Sequence, residues 1–236
     1  MYGAEFSKIY DLIYSGRGKD YLAESTEVAD VVRARHASAS SLLDVACGTG
    51  AHLAYFKDWF EVAGLDASEH MVRQAGENLP GVPVREGDMR DFDLGRAFDA
   101  IVCMFSSIGY LRSPEELDRT LACMARHLNP GGVIVIEPWH TPGTFIPGYI
   151  AHDLVKGDDQ VVVRLSHSQR AGDRVPINVH YLVGDRATGV RHFTDVHEMN
   201  LFTRRQYETA FERAGCQVEY IESGRFACGL FAGVLK

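Results

Sequence analysis

Asp44 sits inside an apolar run that begins Leu42-Leu43, and Val45-Ala46-Cys47-Gly48-Thr49-Gly50 follows it at once. Gly48 and Gly50 carry no side chain, so a nucleotide-like ligand can come close to the backbone of this turn. Asp66 lies 16 residues after Gly50, at the end of a second apolar run, Val62-Ala63-Gly64-Leu65. A carboxylate there can accept hydrogen bonds from both hydroxyls of a ribose, and about 20 residues beyond a glycine turn is the usual spacing. Asp66 or Ser68 could also open a helix as an N-cap, and the two roles are compatible. Asp88 ends a third unit, Gly87-Asp88-Met89-Arg90-Asp91. The turn alone leaves a choice. Dinucleotide-binding folds use G-x-G-x-x-G, whereas here the order is D-x-x-x-G-x-G and Leu53 stands where a third glycine belongs.

Asp44 to Gly50 resembles the first motif of class I S-adenosylmethionine (SAM)-dependent methyltransferases. The resemblance implies SAM as cofactor, with Ala46, Cys47, Gly48 and Gly50 around it and Asp66 and Ala67 at the ribose. It also implies that the Asp88 carboxylate reads the adenine amino group, that Met89 packs on the ring, and that Met104 lies beside the cofactor. Cys47, inside the turn, is read as a small filler and not as a nucleophile.

These residues need a scaffold that brings strand ends together. Phe98–Phe105 reads as a fourth strand, and His127-Leu128-Asn129-Pro130-Gly131-Gly132 breaks a helix and leads into a fifth, Val133–Glu137. Helical stretches fall near His52–Phe60, Ser68–Asn78 and Pro114–His127, the last opened by Ser113-Pro114-Glu115-Glu116. Strands alternating with helices predict an α/β fold with its site along one sheet edge, and the resemblance makes it a Rossmann-like class I methyltransferase sheet with helices on both faces. Residues 1–41 read as an N-terminal helical cap, 42–139 as the SAM-binding core and 201–236 as a return to the core. Residues 140–200 differ. Three runs, Gln160–Gln169, Val175–Val183 and Val190–Asn200, alternate polar with apolar residues and are joined by hairpin-type turns. They predict an inserted antiparallel β unit over the ligand edge, where two copies could pair into a homodimer.

Composition bounds the partners. The 236 residues carry 24 Lys and Arg against 32 Asp and Glu, a formal charge of −8, with no basic block. Nucleic acid and anionic membrane are poor partners for such a chain. No apolar run approaches ~20 residues, and five scattered cysteines without C-x-x-C spacing favour a reducing, cytoplasmic setting. No metal-ligand cluster is visible.

Several segments narrow the resemblance: Gly16-Arg17-Gly18-Lys19-Asp20-Tyr21, Cys103-Met104-Phe105-Ser106-Ser107-Ile108-Gly109, Glu137-Pro138-Trp139, Val179-His180-Tyr181 and Gly229-Leu230-Phe231. Together with the turn they resemble the N,N-dimethyltransferases of TDP-linked 3-amino-deoxysugars, across nearly the whole chain. That family implies N-methylation of a small-molecule amine, here on a TDP-amino sugar. Tyr2 and Tyr110 then lie near the reacting nitrogen, with His140 at the sheet edge as a further candidate; Tyr110 as a core aromatic and His140 as a surface histidine are the plainer alternatives. Tyr10 and Arg17 fall near the methionyl group, Arg17 to pair with its carboxylate or to stand as a solvated charge. Ser106 and Trp139 fall near the acceptor. Family arginines are replaced by Cys228 and, in the β unit, Pro176, and Arg225 or Arg174 could substitute, Arg174 the better for its offset of two along a strand. O- or C-methylation of another acceptor, or SAM binding without catalysis, are the alternatives.

Overall fold

In the computed structural model, which describes residues 4–236, the chain opens with helices α1 (Ala4–Gly16) and α2 (Tyr21–Arg33). The Asp20 carboxylate accepts the Ala23 N–H at the start of α2, satisfying a donor that has no partner inside the helix. There follow β1 (Ser41–Val45), the single turn α3 (Leu53–Phe56), β2 (Glu61–Asp66), α4 (Glu69–Asn78), β3 (Val84–Glu86) and β4 (Phe98–Cys103). Helix α5 (Pro114–Arg126) begins as its sequence predicts, with Ser113 accepting the Glu116 N–H and Pro114 at the first helical position. Strand β5 (Leu128–Ile136) starts five residues before the expected Val133, because Leu128 already pairs with Phe98 across an irregularity in the ladder.

After β5 come β6 (Ile150–Lys156), β7 (Gln160–Ser168), β8 (Arg174–Asp185), β9 (Gly189–Asn200), α6 (Arg204–Arg213), β10 (Cys216–Ile221) and β11 (Leu230–Leu235). Seven strands form the main sheet in the order β10-β11-β5-β4-β1-β2-β3. The five from β3 to β5 are parallel, and β11 and β10 close that edge antiparallel. Alternation along β1 decides the layers. Leu42 packs with Val28, Ala29 and Val32 of α2, while Leu43 and Val45 pack with α5 and α6 on the other face. The α/β class is the one the strand–helix alternation predicts, with helices on both faces as the resemblance implies. Strand order reverses between β1 and β4, so their C-terminal ends flank a crevice.

The antiparallel unit is a separate sheet of four strands in the order β6-β7-β8-β9, one more than the sequence suggested. The missed strand is β6. Its large apolar residues Ile150 and Leu154 point outward and are exposed, so the alternation that marks a half-buried strand is inverted. The inner face of the sheet, at Val162, Val179, Tyr181 and Val183, packs on Ile9, Tyr10 and Ile13 of α1 and on Met71 of α4. Burial of each such side chain is worth about 1.5–3 kcal/mol. Helix α1 is therefore wedged between the antiparallel sheet and α4, and the far end of that sheet packs on Tyr110 and Trp139 through Val175, Met199 and Leu201.

Candidate active site

The glycine turn after β1 is held by hydrogen bonds, which keep even the non-glycine Ala46 in the left-handed region. Ala46 has φ 62°, Gly48 57° and Gly50 83°. The two glycines have different tasks. A Cβ on Gly48 would meet nothing within 4 Å, whereas one on Gly50 would lie 2.7 Å from Leu79 Cδ1. Gly48 is thus the open position facing the crevice, and Gly50 lets the turn pack on α4. The Asp66 Oδ2 accepts the Gly48 N–H at 2.9 Å and Oδ1 accepts the Ser68 N–H at 2.9 Å. Burial raises the Asp66 carboxyl and these backbone donors oppose the rise. Each oxygen keeps lone-pair capacity for a further donor.

Asp44 forms the floor of the same pocket. It is buried, and neither carboxylate oxygen has a hydrogen-bond partner among the described residues. Burial first, and the Asp66 charge second, push its carboxyl well above the usual carboxylate range. An orphaned buried acid at a pocket floor is costly alone, and a bound ammonium or hydroxyl donor would satisfy it. The residues present therefore fit a ligand with a ribose and an α-amino group. Cys47 packs where a Cβ on Gly64 would come within 2.8 Å of its sulfur, and burial raises its thiol, which fits a filler.

Lys19, Glu24 and His52 make a buried network beside Tyr21. Lys19 Nζ is 2.7 Å from Glu24 Oε2, and His52 Nε2 is 2.8 Å from the same oxygen. The Lys19 ammonium also lies 4.1 Å from the centre of the Phe105 ring. On the other side of the turn, Thr49 Oγ1 donates to Asp11 Oδ1 at 2.6 Å, and Asn78 donates to Thr49 O at 3.1 Å, tying α1 and α4 to the turn.

Beyond β4, Phe105 and Ser106 both adopt left-handed backbone, φ 55° and 58°. The Phe105 N–H donates to Glu137 Oε2 at 2.6 Å, and Ser106 Oγ donates to Pro138 O at 3.1 Å. Ser107–Tyr110 then forms a 3-10 turn whose Gly109 is needed for close approach: a Cβ there would lie 2.7 Å from Met199 Cε and 3.1 Å from Trp139 Cβ. Tyr110 Oη lies 3.0 Å from His197 Nδ1, and His197 Nε2 lies 3.8 Å from Asp195 Oδ2. Trp139, His140 and Phe145 form a ring cluster, and His140 Nδ1 is 3.8 Å from Cys228 Sγ. Burial lowers the His140 pKa and raises that of Cys228, so both are neutral near pH 7.

A family model described as a methyltransferase domain matches residues 42–132, from β1 into β5. A dTDP-3-amino-3,4,6-trideoxy-alpha-D-glucopyranose N,N-dimethyltransferase of Streptomyces venezuelae is 52% identical over 235 residues, 99% of both chains. A dTDP-4-amino-2,3,4,6-tetradeoxy-D-glucose N,N-dimethyltransferase of Saccharopolyspora spinosa is 44% identical, covering 99% of this chain and 94% of the relative. The chain belongs to this family of sugar N,N-dimethyltransferases. Among solved structures, DesVI of Streptomyces venezuelae superposes with a TM-score of 0.95 at 51% identity, over the full length of both chains. The SAM-bound amino pentose methyltransferase of Micromonospora echinaspora superposes with a TM-score of 0.88 at 42% identity, over 100% of this chain and 98% of that one. The cofactor is SAM.

In this methyltransferase, Tyr10, Ala46, Cys47, Gly48 and Met104 line the pocket with Asp44, and Asp66 closes it through Gly48. Gly50 does not face it. Ala67 sits beside Asp66, its backbone among the groups favouring the charged carboxylate. Arg17 departs from expectation: its Nε lies 3.0 Å from Asp153 Oδ1 on β6, which holds α1 to the antiparallel sheet. Lys19, two residues on, is the cation beside the pocket. Asp88 lies farther along the edge, gripped by the Arg90 guanidinium, which also bonds Glu116 and holds the Asp88 carboxyl below its usual range. Met89 packs half-buried against the core. Tyr110 and Trp139 come together, with His140 on Trp139 and Ser106 bonded to the adjoining Pro138. Arg174 and Arg225 do not join them. Val175 is buried beside Tyr110 and Trp139, so strand alternation turns Arg174 and Pro176 to the outer face. Arg225 Nε lies 3.5 Å from Glu27 of α2. Tyr2 lies outside the described residues. Sequence reasoning missed Asp44, Asp11, Glu24, His52 and His197; Asp44 alone had a signal, as the acid of the motif.

Proposed function

We propose that this methyltransferase transfers methyl groups from SAM to the amine of a dTDP-linked amino-deoxysugar, twice in succession. The observation that carries the reading is the crevice between the ends of β1 and β4, with an open glycine and an orphaned acid on one side and an aromatic, neutral cluster on the other, in a chain matched end to end by sugar N,N-dimethyltransferases. SAM supplies an activated methyl group. The protein's part is to align the amine, exclude water and keep the amine uncharged, and near-attack positioning alone can be worth roughly 7–11 kcal/mol.

Asp66 is assigned to the ribose hydroxyls, Asp44 to the methionyl ammonium, Lys19 to the side of its carboxylate, and Asp88 with Met89 to the adenine. Tyr2, Tyr110 and His140 are assigned to the amine, and Ser106 and Trp139 to the sugar. The neutral state of His140 and the low polarity of the Trp139–Phe145 cluster support binding an amine as its free base. A homodimer through the outer face of the antiparallel sheet is supported by its exposed Ile150, Leu154, Leu165, Leu182 and Val196. No described helix is long and apolar enough to cross a membrane, and free cysteines without a disulfide among the described residues support a cytoplasmic setting.

The test is incubation with SAM and a dTDP-3-amino-3-deoxysugar, followed by mass. Gains of one and then two methyl units are expected. A protein that binds SAM and adds no methyl group to that sugar or to its 4-amino isomer would overturn the reading.

A further inference from the structure

Glu137 follows β5, and its own N–H donates to Cys103 O at 3.0 Å, which sets the residue at the C-terminal edge of the sheet beside β4. Its Oε2 is committed, accepting the Phe105 N–H at 2.6 Å. That bond holds the paired left-handed residues Phe105 and Ser106, a conformation that non-glycine residues keep only when their surroundings enforce it. Oε1 is different. It has no hydrogen-bond partner among the described residues and is not sealed from solvent. The carboxyl is thus anchored by one oxygen on Phe105, which lines the cofactor pocket, with the other oxygen open, and Glu137 stands two residues before Trp139 of the ring cluster.

We propose that Glu137 is the proton acceptor for the amine, its open oxygen taking the proton while Oε2 stays on the Phe105 N–H. The inference rests on the amine-methylation reading. As the amine nitrogen bonds to the methyl carbon, the carbon–sulfur bond breaks with its electron pair left on sulfur. The displaced ammonium proton passes to the Glu137 carboxylate and leaves to solvent when the site opens. A second transfer needs this proton removed, because a protonated methylamine has no lone pair.

The surroundings suit the task. Burial is the main influence on Glu137 and pushes its carboxyl up to about 7. Lys19, from the α1–α2 connection, favours the charged form, and Glu24 of α2 opposes it. The thiols of Cys103 on β4 and Cys228 before β11 are themselves raised and uncharged, and His140 is neutral. A base is most effective when its pKa lies near the working pH. Tyrosine, with a reference value near 10, is the poorer choice.

The test is Glu137→Gln, whose amide oxygen can still accept the Phe105 N–H. Wild-type kcat is expected to rise with pH through about 7, and E137Q to lose that limb and fall about 100-fold, with SAM affinity by calorimetry within about twofold. In protein labelled with carbon-13 at the glutamate carboxyl, one resonance should titrate near 7 and vanish in E137Q. An unchanged E137Q rate and limb, or no such resonance, would overturn the proposal. So would weakened SAM binding in both E137Q and Glu137→Ala with kcat unchanged, which would leave Glu137 only the turn to hold. Wild-type protein that binds SAM but methylates no amine overturns the underlying reading instead.

Discussion

The two sides of the crevice hold their polar groups by different means. On the cofactor side, charged and hydroxyl groups are fixed at normal hydrogen-bond length: Asp66 on two backbone N–H groups, Thr49 on Asp11, and Glu24 between Lys19 and His52. On the acceptor side Tyr110 and Ser106 also bond at 3.0 and 3.1 Å, but the groups behind them meet at longer range, 3.8 Å for His197 with Asp195 and for His140 with Cys228. Bonds of the first kind are made before a ligand arrives and cost nothing further when it binds. Those of the second kind are weak and can be exchanged for bonds to a ligand. A family whose members are named for 3-amino and 4-amino sugars needs the same cofactor geometry and a different acceptor fit, and the two halves are built accordingly.

The largest expected effect breaks the rigid side. Asp66→Ala removes the ribose acceptor and also releases the Gly48 and Ser68 N–H groups. With bonds to a charged group worth about 1.5–3 kcal/mol, SAM affinity should fall about 10- to 100-fold by calorimetry. Unchanged affinity would mean that the ribose does not bind at Asp66.

A smaller effect of two signs is expected at Asp44. Asp44→Asn removes a buried carboxyl whose oxygens have no hydrogen-bond partner among the described residues, so the protein without SAM should lose less stability as pH rises while SAM affinity falls about tenfold. Because the fold raises the Asp44 carboxyl, the folded state binds that proton more tightly than the unfolded chain, whose aspartates titrate near 3.9. This group's stabilisation is complete below that value and is lost as pH rises through its folded pKa. Thermal melts from pH 4 to 8 should therefore slope downward less steeply in D44N. A D44N protein with lower stability and intact SAM binding would show that Asp44 serves the fold and not the ligand.

Both halves of that comparison were unequally legible in the sequence. Asp66 and the glycine turn could be read because strand, turn, helix and strand fix their separation within one continuous unit. Asp44 was visible as a letter of the motif, but that its oxygens are unpartnered depends on what surrounds them in space. Arg17 and Lys19 are two cations in one loop, and only the approach of β6, through Asp153, decides which is withdrawn. His197 had no signal at all: it meets Tyr110 across 87 residues of chain, through the packing of the second sheet on the 3-10 turn. Strand β6 hid because its exposed face is the apolar one.

The smallest effect sharpens the acceptor side. Arg174 lies on the outer face of its sheet, and Arg225 is half-exposed beside Glu27, an ion pair worth about 0–1 kcal/mol. Arg174→Ala and Arg225→Ala should each change kcat/KM for the sugar nucleotide less than about twofold. The diphosphate of the acceptor would then have to be met by other groups, and Arg164, 3.5 Å from Asp153, is a cation on the inner face of β7, the face that packs on α1. A tenfold loss in either variant would instead mean that the acceptor wraps beyond the aromatic cluster, and that the side with the looser contacts extends onto a surface exposed without the ligand.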